Sequence, residues 1–598
     1  MNILRSSVTR TTPLARSIGR VPIRQARLGQ RTYAQATPSP KNAGTNTPWF
    51  LGSLIVFGPL LFKLTSPPPK QKKIEHTPVA ATATATAAAD KPSEPVKNSA
   101  VIPTESTSDS NKSTSTQKPK VQKPFVLIGG GTASYAAAKA IKEKDPLANV
   151  IIIAEEAQAP YMRPPLSKEL WFSEDPKVTQ TLVFKDWQGH ERETIYQDAS
   201  LYEVLQDAAG SDTPSEKVKL LLNKRVVKLN IDTHTVTLDD GSEIYYNKVL
   251  LATGGSPKKF PGVQDANVTT FRSIEDFKLL DSKAKEGAHI AVVGGGFLGS
   301  ELAVALAHRA EKQNIKVTQV FPEEGNMANV FPTYLTKWTT SKVRDLGVDV
   351  KSNKSIKSIN SGKDGKVVLD LGDEKLSVDH VVVAIGLEPR VDLARQAGLE
   401  IDEKRAGVVV NAELEARSDV FAAGDVVSFH DVQLGRRRIE HHDHAVLSGR
   451  HAGENMIGGS KPFTHQSMFW SDLGPEIGYE AVGLVDSQLS TVSVWAKATS
   501  KDTPAVGAGS EAESPRTAAL GSDAPISAAP VSPIQVDLKD EKFGKGLVFY
   551  VRDQKIVGLL LFNVFGKVQE ARDIINAGYT SDKIDGLLKQ FDLHSESH

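Results

Sequence analysis

Phe125-Val126-Leu127-Ile128-Gly129-Gly130-Gly131-Thr132-Ala133-Ser134-Tyr135 is the stretch that decides the fold. Four large apolar residues in a row predict a strand covered on both faces, as in a parallel sheet. The glycines turn that strand into an Ala-rich helix ending near Glu143, and Val150-Ile151-Ile152-Ile153-Ala154 predicts a second strand stopping at Glu155-Glu156. Strand, glycine turn, helix, strand and acid in this register make a βαβ dinucleotide unit. The glycines let backbone approach a pyrophosphate at the helix N-terminus, and the terminal carboxylate accepts ribose hydroxyls. Ser134 stands where a third glycine is usual, and it is small enough to keep helix and strand close.

The pattern then returns. His289-Ile290-Ala291-Val292-Val293 is a strand, Gly294-Gly295-Gly296-Phe297-Leu298-Gly299-Ser300-Glu301 enters a helix, and Lys316-Val317-Thr318-Gln319-Val320-Phe321 ends near Glu323. Here G-x-G-x-x-G is complete, through Gly294, Gly296 and Gly299. An acid at the strand's end with no Arg directly after it predicts a free ribose hydroxyl, the NAD type, over a 2′-phosphate. Val249–Gly255 and Val381–Gly386 are apolar strands ending in small residues, as expected where a chain crosses between two nucleotide domains. Ser418-Asp419-Val420-Phe421-Ala422-Ala423-Gly424-Asp425 is a strand running into Gly-Asp, with Asp425 placed for a ribityl chain and the following helix directing its dipole at the ring system. The second unit is thus inserted into a discontinuous first one: 124–255 and 387–464 for the first, 256–386 for the second.

Outside these units the 598-residue chain changes character. Residues 1–33 carry seven arginines among Ser, Thr and Leu, and no acid occurs before Glu75, the composition of a mitochondrial presequence. The apolar run 48–64 predicts a short transmembrane anchor; its uncharged part spans about 22 Å against a ~30 Å hydrocarbon core, with Trp49 and Lys63 as interface anchors. The alternative is an apolar patch within a tail. Residues 65–123 are Pro, Ala, Thr, Ser and Lys, a disordered linker. Residues 465–598 predict an α+β C-terminal domain: strand runs at Tyr479–Val485, Thr491–Ala498 and Gly546–Phe562, a helix from Val568 to Ala577, and a disordered insertion over 500–541. The fold class is therefore α/β, with two Rossmann-like domains plus an antiparallel-sheet domain. Net charge of +1 gives no global pull toward a polyanion. With no cysteine in the sequence, a disulfide framework, a thiolate metal site and a dithiol electron relay are all excluded; no metal site is expected.

The order of these segments resembles the glutathione-reductase-like flavoproteins. Within them, the string Pro160–Trp171 (PYMRPPLSKELW), the string Gly435–His444 (GRRRIEHHDH) and the string Gln466–Gly474 (QSMFWSDLG) resemble the apoptosis-inducing factor family from about Pro124 onward. The resemblance implies FAD on Gly129, Gly130, Gly131, Thr132 and Ala133, with Glu155, Glu156, Arg163, Lys168, Val226, Arg272, Asp425, His441 and His442. It implies NADH on Gly294, Gly296, Phe297, Leu298, Gly299 and Glu323, with Gly386, Glu440, His441, Trp470 and Glu480, and a second NADH mode involving Trp187. The residues agree with these roles: Arg163 and Lys168 sit on a Pro-rich turn that can bring cations over the pyrophosphate or flavin edge, and Glu301 can pair with Lys168. Phe297 can gate the nicotinamide, while Trp470 and His441 offer flat faces for stacking. Lys168, Glu301, His441 and Trp470 are the expected catalytic set. Asn329 departs from the family's Lys at the adenosine end, where Lys337 is a candidate substitute.

The activity implied is hydride transfer from NADH to FAD, a persistent charge-transfer complex and a homodimer on reduction, in the intermembrane space of mitochondria and anchored to the inner membrane. The resemblance further implies respiratory-chain assembly through the disulfide-relay import oxidoreductase, and a nuclear role with DNA after release. For DNA the obvious basic cluster is Arg436-Arg437-Arg438, beside the flavin site, where substrate loading or folding is the favoured account. The alternatives are a respiratory NADH:quinone reductase, which the charged segment after Val568 disfavours, and an NADH-sensing scaffold.

Overall fold

The structure is a computed structural model that describes residues 123–185, 191–192, 195, 199–212, 215–496, 502, 543–591 and 593. The presequence, the 48–64 anchor, nearly all of the linker, Trp187 and most of the 500–541 insertion lie outside these residues. Among the described residues no helix is long and apolar enough to cross a membrane.

Strand β1 (Phe125–Ile128) is buried throughout, runs through the glycine turn into helix α1 (Thr132–Lys144), and returns as β2 (Val150–Ile153). β1 pairs in parallel with β2 on one side and with the Lys248–Leu251 strand on the other, in a seven-stranded sheet that also takes in Glu415–Arg417 and Val420–Ala422. The second unit repeats this arrangement: β3 (His289–Val293), α2 (Phe297–Gln313) and β4 (Lys316–Val320). β3 lies between β4 and His380–Val383 in a five-stranded parallel sheet. Every strand of this second sheet comes from residues 268–383, between the two runs that build the first. The chain crosses and returns as a two-stranded ribbon, Gly255–Pro257 against Leu387–Pro389. Both glycine turns thus sit at the C-terminal ends of parallel strands, where open α/β sheets form their ligand crevice.

The C-terminal sheet has five antiparallel strands. The run expected as one strand from Gly546 to Phe562 is in fact a hairpin, Lys545–Arg552 and Lys555–Phe562. Its turn residues Asp553 and Gln554 both take positive φ (51° and 64°), as a type I′ turn requires. Without the Asn-Gly or Asp-Gly signature, nothing in the local sequence marks the break. Strand β5 (Met468–Leu473) is the edge strand toward the nucleotide domains, in register with Ile477–Gly483. Helix α4 (Val568–Asn576) lays Val568, Ala571, Ile574 and Ile575 against this sheet, so its apolar face is already covered.

Candidate active site

Each glycine turn opens with the same constrained residue. Gly129 has φ +119° and Gly294 φ +128°, a region L side chains rarely adopt. A Cβ would stand 2.3 Å from the Ala252 carbonyl oxygen in the first and 2.2 Å from that of Ala384 in the second. Gly299 needs its missing Cβ for helix packing, since one would lie 2.3 Å from the Gly294 oxygen. Gly131 and Gly296 serve a different purpose. They cap α1 and α2 with no side-chain hydrogen bond, and a Cβ on either meets nothing within 4 Å. The first N–H groups of both helices therefore face open cleft, the arrangement that binds a pyrophosphate. The residues present fit two dinucleotides.

Both turns open into one cleft of about 1440 Å³, larger than the ~300–1,000 Å³ typical of a single ligand pocket. Gly129, Gly130, Gly131, Thr132 and Ala133 line one end with Glu155, Glu156, Arg163, Val226 and Arg272; Gly296, Phe297, Leu298 and Gly386 line the other. Lys168, Glu301, Asp425, Glu440, His441, His442 and Trp470 stand between. Gly294 and Gly299 lie behind their turn. Glu323 sits outside the cleft wall on a loop whose backbone it ties to Asn353, with its carbonyl accepting at 2.8 Å. Glu480 is buried, paired in register with Trp470. Asn329 accepts a backbone hydrogen bond from Ser487, and Lys337 lies 3.9 Å from Glu324, next to Glu323.

The two cations do not reach the cleft as bare charges. Arg163 donates to Glu156 (2.6 Å), to the Tyr161 hydroxyl (2.6 Å) and to the Arg272 carbonyl (3.0 Å), while Tyr161 donates to the other Glu156 oxygen. Lys168 and Glu301 form an ion pair at 3.0 Å with side chains only 6% exposed. Glu301 also accepts from Ser167 at 2.6 Å and from Ser471 at 2.5 Å. An unpaired charge at such depth would lose several kcal/mol of solvation, so each cation carries its carboxylate with it. Glu155 pairs with Arg390 at 2.7 Å, but this pair is half-exposed. Sequence reasoning passed over Ser167, Ser471 and Arg390 because their partners lie 134, 170 and 235 residues away; Tyr161, whose partners Glu156 and Arg163 are close in the chain, carried no signal beyond its place in the Pro160–Trp171 string.

Asp425 lies on a short 3₁₀ turn, Gly424–Val426, and accepts from Arg272 at 3.0 Å. The expectation that a helix follows it directly is corrected: Val427–Asp431 is a strand, hairpinned to Gly435–Arg437, and only then does helix α3 (His442–Met456) begin. The helix nevertheless returns to the same place, because Ser448 accepts from the Gly424 N–H at 3.0 Å. It crosses α1 with almost no side chain between them; a Cβ on Gly449 or Gly453 would lie 2.3 or 2.5 Å from the carbonyls of Ala133 and Ala137.

At the mouth of α3, His441 stacks on Phe469 at 4.5 Å and meets Phe297 edge-on at 5.8 Å. Burial pushes the His441 pKa down to about 4; Asp425 and Asp443 oppose that shift without reversing it. The ring is neutral at pH 7 and presents a flat face, not a charge. Trp470 stands edge-on to His442 at 6.0 Å. The arginine triplet points inward: Arg436 donates to the Ser428 carbonyl, Arg437 to Asp431 and the Gly483 carbonyl, and Arg438 to the Arg405 carbonyl and Glu440. Arg437 and Arg438 line the cleft, and Arg436 ties the neighbouring strand from the other side.

Two facing dinucleotide cradles, one inserted in the other, with a lysine–glutamate pair and a stacked aromatic slot between them, define the class: a two-nucleotide flavoprotein oxidoreductase. Residues 123–449 match the pyridine nucleotide-disulphide oxidoreductase family, and residues 452–577 match the C-terminal domain of mitochondrion-associated apoptosis-inducing factor. A mitochondrial apoptosis-inducing factor 1 of Dictyostelium discoideum is 37% identical over 84% of this chain and 87% of its own length. A Drosophila melanogaster candidate for the same factor is 43% identical over 79% of this chain and 66% of its own, just under two thirds. A putidaredoxin reductase–putidaredoxin complex shares the fold with TM-score 0.59 at 21% identity, covering 79% of this chain and 99% of that one. The chain belongs to the apoptosis-inducing factor branch of the pyridine nucleotide-disulphide oxidoreductases, a family dependent on FAD and NAD(P)H.

Proposed function

We propose that this protein is a mitochondrial NADH:acceptor oxidoreductase that binds FAD on the first glycine turn and NADH on the second, facing the intermembrane space from the inner membrane through its 48–64 anchor. The observation that carries this reading is the shared cleft, into which the uncapped N-termini of α1 and α2 both open. FAD held on the first turn would supply the two-electron chemistry, with NADH as the hydride source. The chain's own residues bind and orient. Phe297, His441 and Phe469 form an apolar slot suited to a flat nicotinamide. Lys168, paired with a Glu301 that Ser167 and Ser471 hold in turn, keeps a positive charge at a constant position in the cleft wall. A neutral His441 favours holding an aromatic ring over moving a proton.

Tight stacking favours a long-lived complex between the reduced cofactor and NAD⁺, with a reduction-linked homodimer and a role in respiratory-chain assembly through the import relay. The absence of cysteine means electrons leave the flavin directly to an acceptor that comes to it. The covered face of α4 speaks against a quinone reductase docked to the membrane by its C-terminal helix. Arg437 and Arg438 are assigned to the cleft wall and Arg436 to bracing the strand beside it, not to DNA. Anaerobic titration of the holoprotein with NADH, following the flavin spectrum and the particle size together, tests the reading. A persistent long-wavelength band with a monomer-to-dimer shift is expected; rapid quinone-driven recovery at constant size would overturn it.

A further inference from the structure

The two glycine turns share one geometry but are supported differently. Gln319 is fully buried in β4, opposite Val292 of β3. The same place in the first unit, opposite Leu127, is held by Ile152, which has no donor. A buried amide in a parallel strand is unfavourable unless every polar atom is used. Gln319 donates through Nε2 to the Gly294 carbonyl at 2.9 Å, and its Oε1 accepts from Asn326 Nδ2 at 2.9 Å. Asn326 also donates to Ser300 Oγ at 2.8 Å, and Thr340 accepts the Asn326 N–H at 2.8 Å. Gln319, Asn326 and Ser300 are all wholly buried. The Met327 N–H then donates to the Gly295 carbonyl at 2.8 Å, fastening the loop after Glu323 onto the back of the turn.

We propose that the Gln319–Asn326–Ser300 network is a positioning device for the exchangeable coenzyme: it keeps the second turn in its binding shape while that turn is empty. A resident cofactor can order its own cradle once and keep it ordered. A coenzyme that arrives and leaves would repeat that ordering at every encounter, so holding the turn from behind raises its affinity without any contact to it. Gln319 sets nicotinamide coenzyme affinity; the first turn, backed by Ile152, relies on bound FAD. This inference rests on the reading of the Gly294–Leu298 turn as the coenzyme cradle.

The test uses FAD-loaded Gln319→Met, Gly296→Val and Val317→Ala proteins, the last altering a buried β4 residue outside the network. NAD⁺ affinity is measured by calorimetry on the oxidised protein, and stopped-flow reduction by NADH separates half-saturation from limiting rate. Gln319→Met should raise both the NAD⁺ dissociation constant and the NADH half-saturation about tenfold, the change expected from losing the one buried hydrogen bond that reaches the turn itself, to the Gly294 carbonyl. Its FAD content and limiting rate should stay at the parent level. If Gly296→Val weakens coenzyme binding and Gln319→Met does not, the network has no such role and the turn assignment survives. If neither does, the turn assignment itself fails. An equal loss in Val317→Ala would make the effect general loosening and would also overturn the proposal.

Discussion

Replacing Gly449 with alanine should destabilise the protein, although alanine is the better helix former. By propensity alone the exchange within α3 would gain about 1 kcal/mol. The crossing with α1 works against it. A Cβ at Gly449 would lie 2.3 Å from the Ala133 carbonyl oxygen and 2.7 Å from its Cα, where ordinary contact begins at 3.4 Å. The atoms in the way are backbone, so no rotamer change relieves the clash; the helices must separate by about 1.1 Å (3.4 less 2.3). Overpacking of this kind costs about 1–3 kcal/mol, so the net effect is a loss of up to about 2 kcal/mol, or a fall of a few degrees in Tm. Ala133 ends the first glycine turn, so the same displacement widens the FAD cradle, and the flavin-to-protein ratio should fall alongside Tm. Gly453→Ala meets Ala137 in the same way at 2.5 Å. One separation relieves both clashes, so the double variant should lose less than the sum of the two. Thermal melts with flavin quantitation decide it: a Gly449→Ala protein with unchanged or higher Tm and full FAD would refute the close-crossing argument.

Gly131→Ala and Gly296→Ala should separate the two cradles, since neither Cβ meets protein within 4 Å. The first should fold but lose FAD; the second should keep FAD and reduce slowly with NADH, as flavin absorbance and stopped-flow will show. Glu301→Gln removes one partner of a buried pair and should cost about 3–5 kcal/mol in urea unfolding. Converting both sites, Lys168→Met with Glu301→Leu, should recover much of that loss; a double variant weaker than the single would contradict the pairing. Burial depresses His441 to about 4 and His444 to about 3 from an ordinary 6.5. Between those values the unfolded chain binds protons that the folded one refuses, so stability should fall as pH drops below 6.5. His444→Gln should flatten the slope of Tm against pH between 6.5 and 5; an unchanged slope would place the titration elsewhere.

The βαβ units were legible because their physics is local. A strand covered on both faces must be a continuous apolar run, a turn at φ +119° or +128° needs glycine, and an uncapped helix start needs small residues around it. Phe125–Ser134 and His289–Gly299 state all of this in ten or eleven residues each. The absence of cysteine settled by itself that no dithiol relay exists. The hairpin within Gly546–Phe562 was hidden because Asp553-Gln554 reaches positive φ without glycine. The path from Asp425 to α3 was misjudged for a related reason: the strand that intervenes is apolar enough to be buried, yet its pairing with Gly435–Arg437 is set by tertiary contact.

What only the tertiary structure decided is which charges and rings meet. The Lys168–Glu301 pair is the exception, expected from sequence and present at 3.0 Å; folding gave it Ser167 and Ser471 as further partners and put it in the wall of a cleft. It turned Arg436, Arg437 and Arg438, a basic patch on paper, toward carbonyls and carboxylates inside the protein. It also set His441 on Phe469 in the cleft wall, where burial lowers its pKa from 6.5 to about 4. Propensity and periodicity act over a few residues and can be read along the chain. Solvation and Coulomb energies depend on what lies within a few ångströms in space, and Glu301 meets Ser167 and Ser471 from 134 and 170 residues away in sequence.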